Sequence, residues 1–319
     1  MEWEGIKKEP LLIIGEGKLA YSVSVCFLQS GYPVTLCSEN KDDAVENINI
    51  HFADLNENSF RRADWPVLEV TDTLDGKLHN KLVFVVTEED VIKKRSLIRQ
   101  LEKKLPLSSV IAINSESIPL SVLQEGCKCP DRVIGVNWTE PAHTTYFLEI
   151  ISNSKSNTTL VDYIFRQAKM YWNKDPYIIS HDLGIRAKMM AAMTREAFYL
   201  VENGFASMED IDRACRNDPG YYLPFAGNFR YIDLMGGALG FSQVMKVLNP
   251  ELSKSRKVPE FFTDFIQKGE QSMDNNKGIY EYNPGDMEKW KETFRKYSYQ
   301  IQAIMDKYPF KYRETHSSE

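Results

Sequence analysis

Six residues near the start of the chain have the spacing of a phosphate cradle. Gly15-Glu16-Gly17-Lys18-Leu19-Ala20 follows a short apolar run, Leu11-Leu12-Ile13-Ile14, and leads into the helix-like stretch AYSVSVCFLQSG. Glycines at such a turn let the backbone approach a pyrophosphate, and the helix start offers it amides and a positive dipole. Alanine at the third position is tolerated, because that place needs only a small residue where helix meets strand. The second strand should then end in an acid that holds the ribose hydroxyls. In VTLCSEN that place falls on Ser38, with Glu39 beside it and Lys41 following. Glu39 suits NAD, whereas Ser38 with Lys41 suits the 2′-phosphate of NADP. Glu16 sets a negative charge in the loop itself, unhelpful to a pyrophosphate if the side chain points inward. A second centre is Glu149, inside the apolar run FLEIIS. An unpaired buried carboxylate is costly, so its presence there points to a pocket.

The elements that must position these groups alternate in type. Apolar strand-like runs occur at 11–14, 34–38, 81–86, 108–114, 132–138 and 147–152, and a charged helix-like stretch occupies 88–105. Strands alternating with helices predict a mostly parallel, doubly wound sheet. The character changes after about residue 180. GIRAKMMAAMTREAFYLVENG (184–204) reads as a long helix stopped by Gly204, and SMEDIDRAC (207–215) as a helix with Ser207 as its N-cap and Asp210 three residues on. The expected fold class is therefore α/β: a doubly wound Rossmann-like domain over 1–180, then an all-α C-terminal domain over 181–319. The run WNKDPYIISHDLG (172–184) reads as linker packing, and the polar tail RETHSSE as a frayed end.

Composition narrows the class. The chain has 319 residues, 43% hydrophobic and 26% charged, with 39 basic and 45 acidic side chains and a formal net charge of −6. These are values of a globular chain with a core, and they exclude disordered, collagenous and rod-like chains. The acidic balance gives no footprint for nucleic acid. No apolar run approaches the roughly 20 residues of a membrane helix, and MEWEGIKKEP does not read as a signal peptide. Five cysteines (Cys26, Cys37, Cys127, Cys129, Cys215) are few, odd in number and not spaced as a zinc site. They fit free thiols in a reducing compartment, most simply the cytoplasm.

With these blocks in order, the chain resembles the 3-hydroxyacyl-CoA dehydrogenase family from about residue 10 to 283. The resemblance runs through LLIIGEGKLAYSVSVCFLQSGYPVTL, TEEDVIKKRSLIRQLEKKLP, INSESIPL and RVIGVNWTEPAHTTYFLEII. In the C-terminal half it is carried by Gly204, Gly227, Phe229, Asp233, Gly236, Lys277, Gly278 and Tyr280. It implies hydride transfer between NAD and a 3-hydroxyacyl-CoA, a place in fatty acid metabolism, cofactor contacts from Glu89 and Lys94, and a homodimer formed through the helical domain. In the family a histidine takes the hydroxyl proton and a glutamate twelve residues on orients it. Here the glutamate place is Glu149 and the histidine place is Asn137. The family's serine place is Glu116, with Ser117 beside it, and its assisting asparagine place is Lys188. Asn114 keeps the asparagine of the helper segment.

An amide has no titratable nitrogen in the useful range, so Asn137 cannot serve as general base. Two readings follow. The protein keeps fold and pocket without the standard chemistry, as a binding or regulatory relative; or another group moves the proton. Lys188, four residues after Gly184, is similar in placement to the catalytic lysine of the β-hydroxyacid dehydrogenases, although Ala192 stands where that family has an asparagine. A lysine partly buried beside a cofactor can become a workable base; an ordinary surface lysine, or a partner of Glu116, is the plainer alternative. His143, after Pro141, is a second candidate for the base, against the alternative of a surface loop histidine.

Overall fold

The computed structural model describes residues 8–58, 65–269, 272–273 and 276–309. Most of the opening decapeptide (residues 1–7) and the RETHSSE tail lie outside the described residues. The chain divides into two compact units, Met1–Lys188 and Met189–Glu319.

The first unit is built on an eight-stranded sheet. Its elements are β1 (Leu11–Gly15), α1 (Gly17–Gln29), β2 (Val34–Cys37), α2 (Lys41–Glu57), β3 (Leu68–Thr71), β4 (Leu82–Val86), α3 (Val91–Lys104), β5 (Val110–Ile113), α4 (Leu120–Leu123), β6 (Val133–Asn137), β7 (Phe147–Ser152), α5 (Thr158–Tyr171) and β8 (Asp175–Ser180). The strand order is β3-β2-β1-β4-β5-β6-β7-β8. Neighbours pair in parallel except β6 and β7. This is the doubly wound order, whose ligands lie outside the carboxyl ends of the strands near β1 and β4.

The sheet's interior explains its sequence. Strands β1, β4 and β6 are buried at every residue, as expected where helices cover both faces. One face packs Leu12, Val83, Val85, Ile111 and Ile113 against Ile98 and Leu101 of α3. On another side Phe27 of α1 stands 4.7 Å from the Phe84 ring, 5.6 Å from Trp138 and 5.1 Å from Trp172. The stretch expected as linker is thus structural: Trp172 is core, and Asp175–Ser180 is the edge strand β8. Its proline sits at the strand's second residue on an edge, where a missing amide is tolerated.

Helix α6 (Ile185–Glu202) spans the division between the units. The second unit continues with α7 (Met208–Asn217), α8 (Pro219–Leu234), α9 (Gly237–Leu248), α10 (Glu260–Gln267) and α11 (Asp286–Lys307). Ser207 caps α7 as its sequence implies, accepting the Asp210 amide at 3.1 Å. Tyr280 donates to the Asp212 carboxylate at 2.7 Å, fastening the 276–283 segment to α7. Both α8 and α9 are apolar yet exposed: Ala226 is the one buried residue of α8, and α9 has none. Among the described residues no helix is long and apolar enough to cross a membrane.

Candidate functional site

The first site is the turn between β1 and α1. A Cβ on Gly15 would stand 1.8 Å from the Val86 carbonyl oxygen, so only glycine lets β1 end this close to β4. Glu16 is the N-cap of α1, but its side chain makes no bond to its own helix. The first-turn amides therefore stay open to an anion, and Gly15 and Gly17 leave the approach clear of side chains. The Glu16 carboxylate instead accepts the Glu39 backbone N–H at 3.0 Å, just past β2. The turn has the open amides and clear approach that a dinucleotide pyrophosphate needs. A cleft of about 730 Å³ adjoins it, lined by Gly15, Glu16, Glu39, Asp72, Glu88 and Lys93 among others.

The second-strand residues divide in role. Ser38 is buried; its amide donates to the Thr71 carbonyl at 2.8 Å and its hydroxyl lies 3.4 Å from the Asn40 carbonyl. It is held at the end of β2 by these two contacts. Lys41 pairs with Asp72 at 3.0 Å. Glu39 is exposed beside the cleft. These placements favour a free ribose diol over a 2′-phosphate.

A second cluster ties the ends of β4 and β5. Lys94 is fully buried and its ammonium donates to the Asn114 carbonyl and side-chain oxygens, both at 2.8 Å, and to the Thr87 carbonyl at 3.1 Å. Glu89 is 3.7 Å from that ammonium and receives the amides of Glu116 and Ser117 at 3.1 and 3.0 Å. Burial alone would raise the Glu89 carboxyl; the Ser117 and Glu116 amides, the Lys94 charge and the Ser117 hydroxyl together outweigh it and hold it low. Burial pulls Lys94 down to about 8, against the opposing pull of Glu89. The pair thus fixes the 114–117 loop from within.

A pH dependence follows from Lys94. Its folded value of about 8 lies below the ordinary value near 10.4. Between these values the folded state releases its proton first, so stability rises with pH there, and the gain disappears as pH falls through 8. The expected difference between wild type and Lys94→Met in unfolding free energy grows by up to about 3 kcal/mol from pH 7 to pH 10. Urea titrations at both pH values check it; a difference that stays flat refutes it.

The third cluster surrounds Glu149. Antiparallel pairing of β6 with β7 sets Asn137 directly opposite Glu149, and parallel pairing of β7 with β8 sets Tyr177 on its other side. Glu149 has no exposed surface. One carboxylate oxygen accepts Asn137 Nδ2 at 3.2 Å; the other accepts the Tyr177 hydroxyl at 3.0 Å and the Ile185 and Arg186 amides at 2.6 and 3.3 Å. The carboxylate thus sits on the first turn of α6, where the helix dipole favours it. Burial, with the Glu149 charge beside it, raises the Tyr177 hydroxyl. Asn137 is equally engaged: it accepts the Ser115 amide and donates to the Ser115 carbonyl, both at 2.8 Å. Both amide hydrogens are thereby used, and the pair closes into a fixed bridge from β6 to α6.

The remaining candidates disperse. The Glu116 carboxylate pairs with Arg186, not with Lys188. Lys188 is exposed on α6. His143 is neither at this cluster nor at the surface: it is buried, its ring 4.7 Å from that of His51 on α2. Burial and the neighbouring His51 push it well below the ordinary histidine range. Participants not nominated by sequence include Ser115, Tyr177, Ile185 and Arg186. A strand assignment for 175–180 would have exposed Tyr177 through its register with Glu149. The cysteines are free.

Comparison with known proteins gives the descent. A family model described as 3-hydroxyacyl-CoA dehydrogenase, NAD binding domain, matches residues 11–182, and one described as its C-terminal domain matches 185–282. The chain belongs to the 3-hydroxyacyl-CoA dehydrogenase family. Its first half is that family's NAD-binding domain, and NAD is the cofactor this domain binds. An L-carnitine dehydrogenase of Bacillus cereus is 26% identical over 264 residues, 77% of each chain. A peroxisomal fatty acid beta-oxidation multifunctional protein, MFP2, of Arabidopsis thaliana is 26% identical over 310 residues, covering 93% of this chain and 41% of that one. The solved structure of 5-formyl-3-hydroxy-2-methylpyridine 4-carboxylic acid 5-dehydrogenase shares the fold with a TM-score of 0.85 at 20% identity, over 93% of this chain and 98% of that one. The 3-hydroxyacyl-CoA dehydrogenase of Archaeoglobus fulgidus shares it with a TM-score of 0.63 at 21% identity and the same coverage.

Proposed function

We propose that this protein is an NAD-dependent oxidoreductase that moves hydride between NAD and a 3-hydroxyacyl-CoA or related hydroxy acid, with proton transfer placed elsewhere than position 137. The observation that carries the reading is the turn at 15–20: uncapped first-turn amides, an approach kept clear by Gly15, and a Glu16 carboxylate drawn aside to β2. Bound NAD would supply the hydride acceptor. Gly15, Gly17 and Ala20 would cradle its pyrophosphate, Glu39 its ribose, and Lys94 with Glu89 and Asn114 would hold the floor at the ends of β4 and β5. Relatives named for L-carnitine and for fatty acid oxidation support both a free acid and an acyl-CoA as substrate class. Glu116, held by Arg186, and Lys188 are the groups with enough exposure to exchange a proton. Free thiols support a cytoplasmic setting.

A second reading, a dinucleotide-binding relative without turnover, is favoured by the engagement of Asn137 on both Ser115 and Glu149. One experiment separates them. NADH is titrated by fluorescence, then acetoacetyl-CoA with NADH and L-carnitine with NAD are followed at the nicotinamide absorbance band. Binding with turnover that falls at least tenfold in Glu116→Gln or Lys188→Ala supports the first reading. Binding without turnover on either substrate supports the second, and no binding removes both.

The apolar faces of α8 and α9 support a homodimer. Phe229 is 83% exposed, Leu239 77%, Met235 65% and Leu234 62%, a patch of the kind that marks an interface. Phe229→Asp combined with Leu239→Asp is expected to halve the mass measured by light scattering after gel filtration; an unchanged mass refutes this.

A further inference from the structure

An N-cap side chain ordinarily folds back onto the amides of its own helix. Glu16, with a longer side chain than Asp or Ser, does not: its carboxylate reaches sideways to the Glu39 amide at 3.0 Å. Two consequences follow. The first-turn amides of α1 are left for an anionic ligand. The Glu16 charge is moved to the end of β2, where a doubly wound fold meets the ribose 2′ position. Glu39 stands at that same place, its backbone held by the bond.

The surrounding charges offset this pair only in part, Lys93 being near enough to feel the Glu39 charge without forming an ion pair with it. The cleft is lined by Glu16, Glu39, Asp72 and Glu88 against Lys93 and Lys104. Lys93 pairs with Glu88, Lys41 with Asp72, and the Lys104 ammonium donates to the Leu74 carbonyl. Among the described residues neither Glu16 nor Glu39 forms an ion pair. The two carboxylates therefore act together on whatever lies beside β2.

We propose that Glu16 is a specificity-determining residue for the cofactor: it positions Glu39 and adds a second carboxylate beside the ribose, so that a free 2′-hydroxyl is accepted and a 2′-phosphate repelled. This rests on the NAD reading above. The dinucleotide loop thereby carries the selection that is otherwise left to the second strand.

The test is a binding measurement on the full chain. NADH and NADPH are titrated separately, by calorimetry, into wild type, Glu16→Gln and Glu16→Ala, at low and high salt. Wild type is expected to bind NADH more tightly than NADPH. Glu16→Gln keeps an oxygen for the Glu39 amide and removes the charge; it should narrow the preference about fivefold, through tighter NADPH, while NADH changes less than twofold. High salt should narrow the wild-type preference more than that of Glu16→Gln, which keeps only the Glu39 charge to be screened. Glu16→Ala should in addition weaken NADH several-fold, because Glu39 is released. Glu16 is exposed, and each variant's thermal melt verifies that it is folded. If Glu16→Gln shifts both cofactors by one common factor, or neither, the proposal is overturned. A wild type that fails to bind NADH overturns the NAD reading itself, and does so before any variant is measured.

Discussion

Alanine at position 184 is expected to lower the unfolding free energy by about 3 kcal/mol or more, the scale on which a buried charge loses its partners. A Cβ on Gly184 would lie 1.7 Å from one carboxylate oxygen of Glu149, 2.5 Å from its carbon and 2.9 Å from the other oxygen. The far end of a glutamate usually swings away from such a clash. This one has no room: it is buried on all sides and held by Asn137, Tyr177 and the amides of Ile185 and Arg186. Moving it strips donors from a charge that water does not reach. A double-mutant cycle separates this from any general intolerance of α6 for alanine. In a Glu149→Ala background the space is empty and Gly184 has no left-handed φ, so Gly184→Ala should be within about 1 kcal/mol of neutral or slightly stabilising, because alanine has less backbone freedom to lose on folding. Urea unfolding of the four proteins should give a coupling above about 2 kcal/mol; additivity within about 0.5 kcal/mol would falsify the contact as the cause.

The readable and unreadable parts of the fold separate on physical grounds. Strands β1, β4, β5 and β6 are near-continuous apolar runs because both faces of the sheet are covered, and such runs are visible without context. Strand β8 is half exposed, carries a proline and alternates weakly, so Asp175–Ser180 looked like a linker. Helix α2 is largely polar, buries Ala44, Ile48, His51 and Leu55, and left no strong periodic signal. Helix α7 was legible to its cap, because the Ser207 hydroxyl accepts the Asp210 amide and donates to the Asp210 carboxylate, all within one turn.

The site was legible where bonding is local or the ladder is simple. The 15–20 turn could be placed by spacing alone, since its work is done by backbone. The direction of the Glu16 side chain could not, because it depends on Glu39 reaching the same corner from another strand. Glu149 was marked by its chemistry, a carboxylate among apolar neighbours. Its donors Ile185 and Arg186 are backbone amides, which no side-chain pattern announces. The pairing of Arg186 with Glu116, rather than Lys188 with Glu116, turns on which face of α6 meets the 114–117 loop, a tertiary fact.

Histidine restored at position 137 is expected to raise turnover of acetoacetyl-CoA with NADH by about 10²-fold or more, within the span that a positioned acid–base group contributes. Asn137 now bridges the Ser115 backbone and the Glu149 carboxylate with both amide hydrogens engaged, so it offers the substrate no transferable proton. An imidazole in the same place can donate one ring N–H to Glu149, across the same antiparallel pair, and keep its other nitrogen for the substrate. The buried carboxylate would stabilise the imidazolium, so the pH profile of the variant should gain a limb at or above the ordinary histidine value near 6.5 that wild type lacks. The exchange also gives up the two bonds to Ser115, and a loss of about 2 kcal/mol in stability is expected with it. NADH affinity, set at the far turn, should stay within twofold. A variant that melts cooperatively and binds NADH normally, yet turns over no faster and shows no new limb, would mean that position 137 is not where this chain departs from its family's chemistry. The proton path would then have to be sought at Glu116 and Lys188, the groups whose charge is still open to solvent.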